Sequence, residues 1–544
     1  MAAMRPIALV ILLLIVCLAG CTAAPTLVPP TPTATASPTT SATPFPTASP
    51  TPTLTPAPTV TPTPSPTPSP SPTATPPAPV TGWSQYAAAL RPTTRHDLES
   101  PRDRAAAPSV KEMTTYSLTV TLAPDLSHLS GIAHIDYTNQ ETITLDAIYL
   151  HLFPNLWQAG MTVGAVQVAG RPVTPTLEAG ATLLRVPLAP PLAPGAATEL
   201  TIAYASPILP GEGAGNYGEF ALDRGILSLG HSYPSVVVYD AGWRLETPAL
   251  QGDVTFHDVA LYDVALTGPA DLVVTATGAT LSQTANDDGS ATWHLAGGPM
   301  RDFNVIASAD YRRLSGMVDD VTINSYFLPG DETGGLKALT WAVVALREFE
   351  QIFGPYPYRE LDLAAMPTKA GGIEYPGLVA IGSRVYRSPS EEDFFESVVV
   401  HEVAHQWWYN VIGNDQVNHP WLDEALCQYS VYLYTRDTYG PKNAQAFVDV
   451  VTNLRWGSVG FKEKPIGLPA AGYVGAEYSA IVYGRGPLFF LALAERLGEA
   501  KMAELLRRYY AEFTWRIAAS DGFRKLAEEA AGEDLGDLFR KWVE

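Results

Sequence analysis

The chain has 544 residues but only three cysteines, Cys17, Cys21 and Cys427. The first two lie near an apolar N-terminus, which leaves Cys427 alone in the rest of the chain and excludes a disulfide there. Basic residues are also scarce, with 34 Lys and Arg against 55 Asp and Glu, for a net charge of −21. Because nucleic acid repels a chain this acidic, we predict no nucleic-acid partner.

Charge is absent altogether from the segment between Arg5 and Arg91. Most of this segment, residues 21–81, consists largely of Pro, Thr, Ser, Ala and Val. Frequent proline prevents helix and sheet and favours an extended chain that buries no core. We therefore predict a disordered linker over 21–81, which serves as a spacer or as an O-glycosylated stalk.

The N-terminal residues have the order of a secretory signal, with Arg5, an apolar run at 7–18 and then small residues. The run is too short to favour a membrane-spanning helix, which needs about 20 apolar residues. The sequence LAGC at 18–21 resembles a bacterial lipobox, which implies cleavage before Cys21 and lipidation of its thiol. We expect residues 1–20 to be a signal peptide and Cys21 to anchor the protein to the outer face of a bacterial membrane. An ordinary secretion signal or an uncleaved anchor is the alternative.

Residues 82–315 are predicted to form an all-β domain. Short runs of alternating apolar and polar residues are separated by Gly, Pro and Asn, which is typical of antiparallel strands packed as a sandwich. The clearest runs are YSLTVTL (116–122), GIAHIDYTN (131–139), TELTIAYA (198–205) and DLVVTATGATLS (271–282). The histidines of this region follow no ligand spacing, and we interpret each as a surface or strand residue: His128, His134, His151, His231, His257 and His294.

Residues 316–544 have a different pattern, in which a few strands are followed by helices. Strands are predicted at 321–327, 361–367 and 377–383, and a helix at 335–354. Further helices are predicted at 391–410, 421–437, 443–455, 485–497, 499–513 and 520–543. This order indicates an α+β domain, distinct from the all-β part before it.

One short motif in the second domain carries chemistry, HEVAHQWW at 401–408. Residues four apart lie on one face of a helix, so His401 and His405 can bind one metal ion. Glu402 lies one residue further round the helix, where it can reach a water beside the ion and act as a general base. The same pattern also arises by chance, as a His and Glu pair on the solvent-facing side of a helix. Here, however, the histidines continue an apolar stripe, and buried imidazoles need a partner.

A catalytic zinc ion takes three protein ligands and a water. The third ligand is expected from the next helix, which begins near Pro420 and reads WLDEALCQYS. Glu424, 19 residues after His405, and its neighbour Asp423 both qualify, and spacing does not separate them. Cys427 lies on the same side of that helix, but a small buried residue is the simpler interpretation.

Together these motifs resemble the zinc signature of the M1 family of gluzincin metallopeptidases, which is HExxH, eighteen residues, then Glu within a WLxE turn. The resemblance covers about 82–544 and implies a saddle-like β sandwich domain, then a thermolysin-like α+β domain ending in helices. It implies one Zn²⁺ per chain, with His401, His405 and Glu424 as ligands and Glu402 as general base. Asp423 would then contact the ligand residues rather than the ion itself.

The segment GGIEYP (371–376) is similar to the GxMEN exopeptidase motif of that family. The similarity implies that Glu374 binds the α-amino group of the substrate, and a carboxylate is the natural partner of an ammonium group. Gly371 and Gly372 would let a peptide approach and pair with an edge strand. Tyr375 stands where Asn is usual.

The segment VYGRG (482–486) is similar to the YxKG stretch of the family, with Arg485 in place of Lys. The similarity implies that Tyr483 donates its phenol to the developing oxyanion. Only the resemblance singles out this residue among 25 tyrosines.

The sequence thus predicts a zinc aminopeptidase that removes N-terminal residues from peptides by metal-activated water. Only 120 residues, 425–544, follow Glu424, so the chain resembles a form without the large C-terminal helical domain of many members. A zinc endopeptidase with an open cleft and a non-catalytic peptide-binding surface module are the alternatives, and the intact ligand set argues against the module. Neither the oligomeric state nor the preferred first residue of the substrate is indicated.

Overall fold

A computed structural model gives the fold over residues 83–87, 89–92, 94, 112–211, 217–388 and 392–544. The predicted signal peptide, Cys21 and the predicted linker lie outside these described residues. All described residues belong to one compact unit. None of the described helices combines the length and the apolar character that a membrane crossing requires.

The N-terminal part of this unit is built from three sheets. The eight-stranded sheet has the order β15-β16-β13-β1-β2-β8-β4-β5, the five-stranded sheet β14-β17-β11-β10-β9, and the four-stranded sheet β12-β3-β7-β6. The strands are β1 (Thr114–Leu122), β2 (His128–Thr138), β3 (Leu145–His151), β4 (Thr162–Val168), β5 (Arg171–Pro172), β6 (Thr176–Glu178), β7 (Leu183–Leu192), β8 (Ala197–Pro207), β9 (Leu209–Pro210), β10 (Phe220–Asp223), β11 (Ile226–Leu229), β12 (Ser235–Val236), β13 (Ala260–Pro269), β14 (Val273–Ala276), β15 (Ala279–Ala285), β16 (Ser290–Met300) and β17 (Val305–Ser308).

Strand β1 shows why the alternating pattern forms a sheet with a buried face. Tyr116, Leu118 and Val120 are buried, whereas Thr119 and Thr121 between and after them are exposed. One feature differs from the antiparallel expectation, because β1 pairs in parallel with β13. A short hairpin joins two strands only in the antiparallel direction. β1 and β13 are far apart in sequence, so no hairpin connects them and they can pair in parallel.

The second part contains a five-stranded sheet with the order β18-β19-β20-β22-β21. Its strands are β18 (Arg312–Val318), β19 (Val321–Phe327), β20 (Glu360–Met366), β21 (Gly372–Ile373) and β22 (Leu378–Gly382). The central strands β19, β20 and β22 are parallel, and β18 and β21 form the two edges. The predicted domain boundary at 315/316 falls inside β18.

Helices surround and follow this sheet, as the pattern predicts. In chain order, the described α-helices are α1 (Trp83–Ala87), α2 (Phe153–Leu156), α3 (Glu332–Ile352), α4 (Glu392–Ala404), α5 (Glu424–Tyr439), α6 (Pro441–Phe447), α7 (Asn453–Gly457), α8 (Gly486–Leu497), α9 (Glu499–Phe513), α10 (Ser520–Ala531) and α11 (Gly536–Trp542). An N-terminal all-β part followed by an α+β part that ends in helices confirms the predicted fold class.

Some helix boundaries differ from the prediction for local reasons. The helix predicted at 520–543 is two helices, because Gly532 adopts a left-handed conformation (φ 76°) that ends α10. The helix predicted at 391–410 ends at Ala404, so the second histidine of the motif lies in the turn that follows. The backbone N–H of His405 still donates to the carbonyl of His401, and the helical spacing of the two side chains is therefore retained.

Arg301 joins the β part to the helical part. Its guanidinium is buried and donates to the backbone carbonyls of His257 at 2.9 Å, Tyr409 at 2.7 Å and Arg516 at 2.7 Å. Gly413 allows this packing, since a Cβ there would lie 2.2 Å from the Cζ of Arg301. The segment that follows the histidine motif is thus held directly against the β sheets.

Candidate metal centre and active site

The side chains of His401, His405 and Glu424 converge on one point. The Nε2 atom of His401 lies 3.0 Å from Oε2 of Glu424 and 3.2 Å from Nε2 of His405, and His405 Nε2 lies 3.4 Å from the same carboxylate oxygen. All three residues are buried. Helix α4 and the turn after it supply the two imidazoles, and the first residue of α5 supplies the carboxylate. The three donor atoms form a group that can hold a metal ion.

A contact behind the donor atoms orients His405. Its Nδ1 lies 2.9 Å from the carbonyl oxygen of Trp408, which favours a proton on Nδ1 and leaves the Nε2 lone pair facing the centre. Asp423 is placed differently from Glu424, because its Oδ1 accepts from the backbone N–H of Glu424 at 2.9 Å and caps α5. Cys427 is buried but is not part of the donor group.

The two neighbouring acids of α5 differ in charge. Burial would raise the pKa of Glu424, but hydrogen bonds to His401 and His405 outweigh it and hold that pKa well below its usual value. The pKa of Asp423 is instead raised to about 8 by burial and by the charge of Glu424. Glu424 is therefore the anionic member of the pair, as a metal ligand must be.

Glu402 is buried beside the donor group. Burial raises its pKa well above the usual range, and the charges of Glu374 and Glu424 add to the effect. A carboxyl group that must take up and release a proton near neutral pH needs such a raised pKa. The side chain packs directly on the edge strand β21, where a Cβ on Gly372 would lie 2.5 Å from Cγ of Glu402.

Glu374 follows β21 and is turned into the same space. One oxygen of its carboxylate, one of the Glu402 carboxylate and one nitrogen of His405 all lie within 4.8 Å of one another. The Nε2 of Gln416 donates to Oε1 of Glu374 at 3.0 Å, and Oε1 of Gln416 accepts from Thr255 at 3.0 Å. The carboxylate is therefore held in position next to the donor group.

Tyr483 reaches the centre from a π-helical segment, Ser479–Arg485. Its phenol donates to Oε1 of Glu424, and burial and the Glu424 charge keep its pKa well above the usual value. Arg485 holds this segment, since its buried guanidinium donates to the carbonyls of Lys464, Lys541 and Trp542. Tyr483 is thus a neutral proton donor on a fixed support.

The structure places all the predicted site residues of this domain in one region. It also shows a packing reason for the two glycines, Gly371 and Gly372, that the motif did not indicate. Gly372 lies on the edge strand, with its missing side chain against Glu402. A Cβ on Gly371 would lie 3.0 Å from Cγ2 of Val398. Both glycines therefore allow α4 to approach β21 closely. The predicted lipidation site, Cys21, lies outside the described residues.

Two residues near the centre were missed from the sequence. Gln416 orients Glu374, and Asp253 is a half-buried residue whose enclosed Oδ2 has no hydrogen-bond partner in the described part of the chain. Burial and the charges of Glu374 and Glu424 raise the pKa of Asp253 well above its usual value. Neither residue belongs to a motif, and only the tertiary structure brings them to the site.

Comparison with known proteins relates the second part of the chain to a peptidase family. Residues 338–542 match the model of the peptidase family M1 domain. Aminopeptidase M1-B of Oryza sativa subsp. japonica is 27% identical over 238 residues, which are 42% of this chain and 27% of that protein. Endoplasmic reticulum aminopeptidase 2 of Homo sapiens is 26% identical over 226 residues, which are 39% of this chain and 23% of that protein. The matched region spans about a quarter of the length of these relatives.

Solved structures share the fold over most of the chain. An M1 zinc metallopeptidase from Deinococcus radiodurans has a TM-score of 0.61 and 22% identity, over 81% of this chain and 95% of that one. A two-domain M1 zinc metallopeptidase variant bound to L-arginine has a TM-score of 0.62 and 21% identity, over 80% of this chain and 96% of that one. Residues 338–542 are thus similar to the peptidase family M1 domain, and the chain shares its fold with solved M1 zinc metallopeptidases.

Proposed function

We propose that this protein is a zinc aminopeptidase that removes single residues from the N-terminus of peptides. The observation that carries the proposal is the position of Glu374, whose carboxylate lies within 4.8 Å of the carboxylate of Glu402 and of a nitrogen of His405. A peptide with a free amino group can therefore be held at its first residue while the bond after that residue faces the base.

The donor set fits zinc. Two ligand atoms that each lie about 2.05 Å from a tetrahedral zinc ion are about 3.3 Å apart, and the donor atoms of His401, His405 and Glu424 are separated by 3.0, 3.2 and 3.4 Å. Two neutral imidazoles and one carboxylate are also a donor set typical of catalytic zinc. When bound, the ion acts as a Lewis acid and lowers the pKa of water.

Side chains of the protein carry out proton transfer, oxyanion stabilisation and binding of the substrate amine. Glu402 takes the proton from the attacking water and passes it to the leaving amine. The phenol of Tyr483 donates a hydrogen bond to the oxyanion of the tetrahedral intermediate. Glu374 pairs with the substrate ammonium group, and Gln416 keeps that carboxylate in place.

The distance between Glu374 and Glu402 favours exopeptidase over endopeptidase activity. The amino nitrogen and the carbonyl carbon of one residue are two bonds apart, about 2.5 Å. An anchor for the amine that lies within 4.8 Å of the base therefore leaves room for one residue and not for a longer segment. A non-catalytic peptide-binding module would have no need for a base, an oxyanion donor and three metal donors in one place.

The proposal is tested with aminoacyl-anilides and peptides, with and without chelator and added zinc. We expect hydrolysis that is lost with chelator and restored by zinc, and Glu402→Gln should abolish turnover without lowering zinc content. Glu374→Gln should raise KM for free peptides. Efficient cleavage of N-acetylated peptides would show an endopeptidase instead, and zinc-loaded protein that cleaves neither kind of substrate would refute catalysis.

We also propose that Cys21 is lipidated and that the peptidase works on the outer face of a bacterial membrane, at the end of the 21–81 linker. The support is the LAGC sequence at 18–21 after a short apolar run. Expression in a bacterial host followed by detergent partitioning and mass spectrometry of the N-terminus tests it. Cys21→Ala should move the protein to the aqueous phase, and an unmodified mature N-terminus would refute the anchor.

A further inference from the structure

Beside the active site, three donor residues of the β part meet in a second group, which we call the β-domain cluster: His231, His257 and Asp302. One donor atom from each residue lies within 4.8 Å of the other two. All three residues are buried. The sequence suggested surface or strand histidines here, but both histidines lie in buried loop positions, so that interpretation was wrong for them.

The imidazoles of the β-domain cluster have unused nitrogen atoms. The Nδ1 atoms of His231 and His257 have no hydrogen-bond partner among the described residues, although both rings are buried. The Nδ1 of His231 lies 3.9 Å from Oδ2 of Asp302. A buried polar atom without a partner costs free energy, so two of them on imidazoles grouped with a carboxylate point to a bound group.

The other ring nitrogen of each histidine has a polar neighbour. The Nε2 of His257 lies 3.2 Å from the hydroxyl of Ser235, and the Nε2 of His231 lies 3.5 Å from a carboxylate oxygen of Glu219. Metal-binding histidines characteristically use one nitrogen for the ion and the other for a carboxylate or another polar group, which fixes the tautomer.

The carboxylate of the cluster is supported in the same manner. The phenol of Tyr409 donates to Oδ2 of Asp302, and Nδ2 of Asn304 donates to Oδ1 at 2.5 Å. Metal-binding carboxylates are commonly held by such hydrogen bonds from behind. Asn304 also accepts the backbone N–H of His231 at 2.9 Å and so fixes both donors.

Charge also favours a cation in the β-domain cluster. Glu219 and Asp302 are both buried and both face the imidazole of His231. The neighbouring guanidinium of Arg301 is used for backbone carbonyls. Two buried carboxylates beside neutral imidazoles require compensation, and a divalent cation held by those imidazoles supplies it within the cluster itself.

We propose that His231, His257 and Asp302 bind a second metal ion, separate from the ion of the active site. Two imidazoles and a carboxylate select zinc or a similar transition-metal ion rather than magnesium or calcium, which prefer oxygen ligands. The ion holds the loops of the β part against the segment after β21 that carries the substrate-binding carboxylate, because the ring of Tyr375, next to Glu374, packs on His231 with centroids 5.9 Å apart.

The test is the metal content of the intact purified chain, loaded with excess zinc, passed over a desalting column and measured by elemental analysis and native mass spectrometry. We expect two zinc ions per chain in the wild type. His257→Gln should retain one, in the active site, and His405→Ala should also retain one, in the β-domain cluster. His294→Ala, which changes an exposed histidine on β16, is the matched control and should retain two.

Outcomes separate the proposal from its rival, in which a protonated His231 bridges Glu219 and Asp302 without a metal. A wild-type chain that takes up only one equivalent of zinc, and no second equivalent of cobalt or nickel, overturns the proposal, as does a second equivalent that survives His257→Gln. If His257→Gln does not fold, the count in His405→Ala decides, because one retained ion supports the second site and none refutes it. These counts do not depend on peptidase activity, so failure of one proposal leaves the other testable.

Discussion

Replacing Gly372 by alanine should impair catalysis by moving Glu402, the proposed general base. The added methyl group would lie 2.5 Å from Cγ, 2.6 Å from Cδ and 2.6 Å from Oε1 of Glu402. Real Cβ contacts are not this short, so one of the two side chains must move. The methyl group is fixed on the backbone of an edge strand, and therefore the carboxylate of Glu402 is the part that shifts.

The magnitude follows from that contact. A normal carbon contact is about 3.5 Å, so Glu402 must move by about 1 Å. A misplacement of this size at a reacting group lowers the rate about a hundredfold, which corresponds to about 2.7 kcal/mol in the activation free energy. Gly372 has no positive φ value, so alanine adds no backbone strain and the fold should be retained.

Steady-state kinetics with an aminoacyl-anilide, together with zinc content and thermal unfolding, measures the effect. We expect kcat to fall about a hundredfold, with zinc content unchanged and a small change in Tm. The matched control is Gly316→Ala, on the opposite edge strand of the same sheet, where the new Cβ would meet Val343 at 3.3 Å, far from any predicted site residue. This variant should keep wild-type kcat.

Two results would refute the reasoning. If Gly372→Ala keeps kcat within a factor of about two of the wild type, the position of Glu402 does not limit the rate of the reaction. If the variant loses zinc instead, the methyl group acts on the metal donors rather than on the base.

Three further predictions concern the support of the site and its stability. Gln416→Leu removes the donor to Glu374, so KM for aminoacyl substrates should rise about tenfold, because a hydrogen bond to a charged group contributes roughly 1.5 kcal/mol or more; an unchanged KM would contradict the positioning role. Arg301→Met leaves three buried carbonyls without this donor, at about 1–3 kcal/mol each, and should lower the free energy of unfolding in urea by about 3 kcal/mol or more. Arg171→Met on an exposed strand should change it little. Burial and Asp362 raise the pKa of Glu360 from 4.5 to about 8, so the folded chain keeps a proton that the unfolded chain has lost, and stability should fall as pH rises through this window. Glu360→Gln should flatten that slope, and an equally steep slope would contradict the pKa shift.

Parts of the structure that depend on neighbours in sequence were predictable. The alternation of YSLTVTL indicates strand β1, and the period of a helix brings His401 and His405 to one face. The two candidates for the third donor were also identified, but spacing left Glu424 and Asp423 equivalent. The two acids differ in their position at the start of α5, because Asp423 caps the helix and Glu424 is its first residue.

Other features are set by segments that are distant in the chain. Gln416 contacts Glu374 across 42 residues, and Arg301 contacts the carbonyl of Arg516 across 215 residues. No periodic pattern connects such pairs, because each is made by loops whose paths depend on how the sheets and helices pack. Tyr483 illustrates the limit, since only a family resemblance distinguished it from the other tyrosines.

The sequence by itself determined the fold class and the local geometry of the histidine motif, because strand alternation and helical spacing act over a few residues. Only the tertiary structure decided which acid faces the imidazoles, what Gly372 accommodates and that His231, His257 and Asp302 meet. The physical reason is that these contacts join loops and edges separated by tens of residues, and their positions follow from the packing of the two parts as a whole.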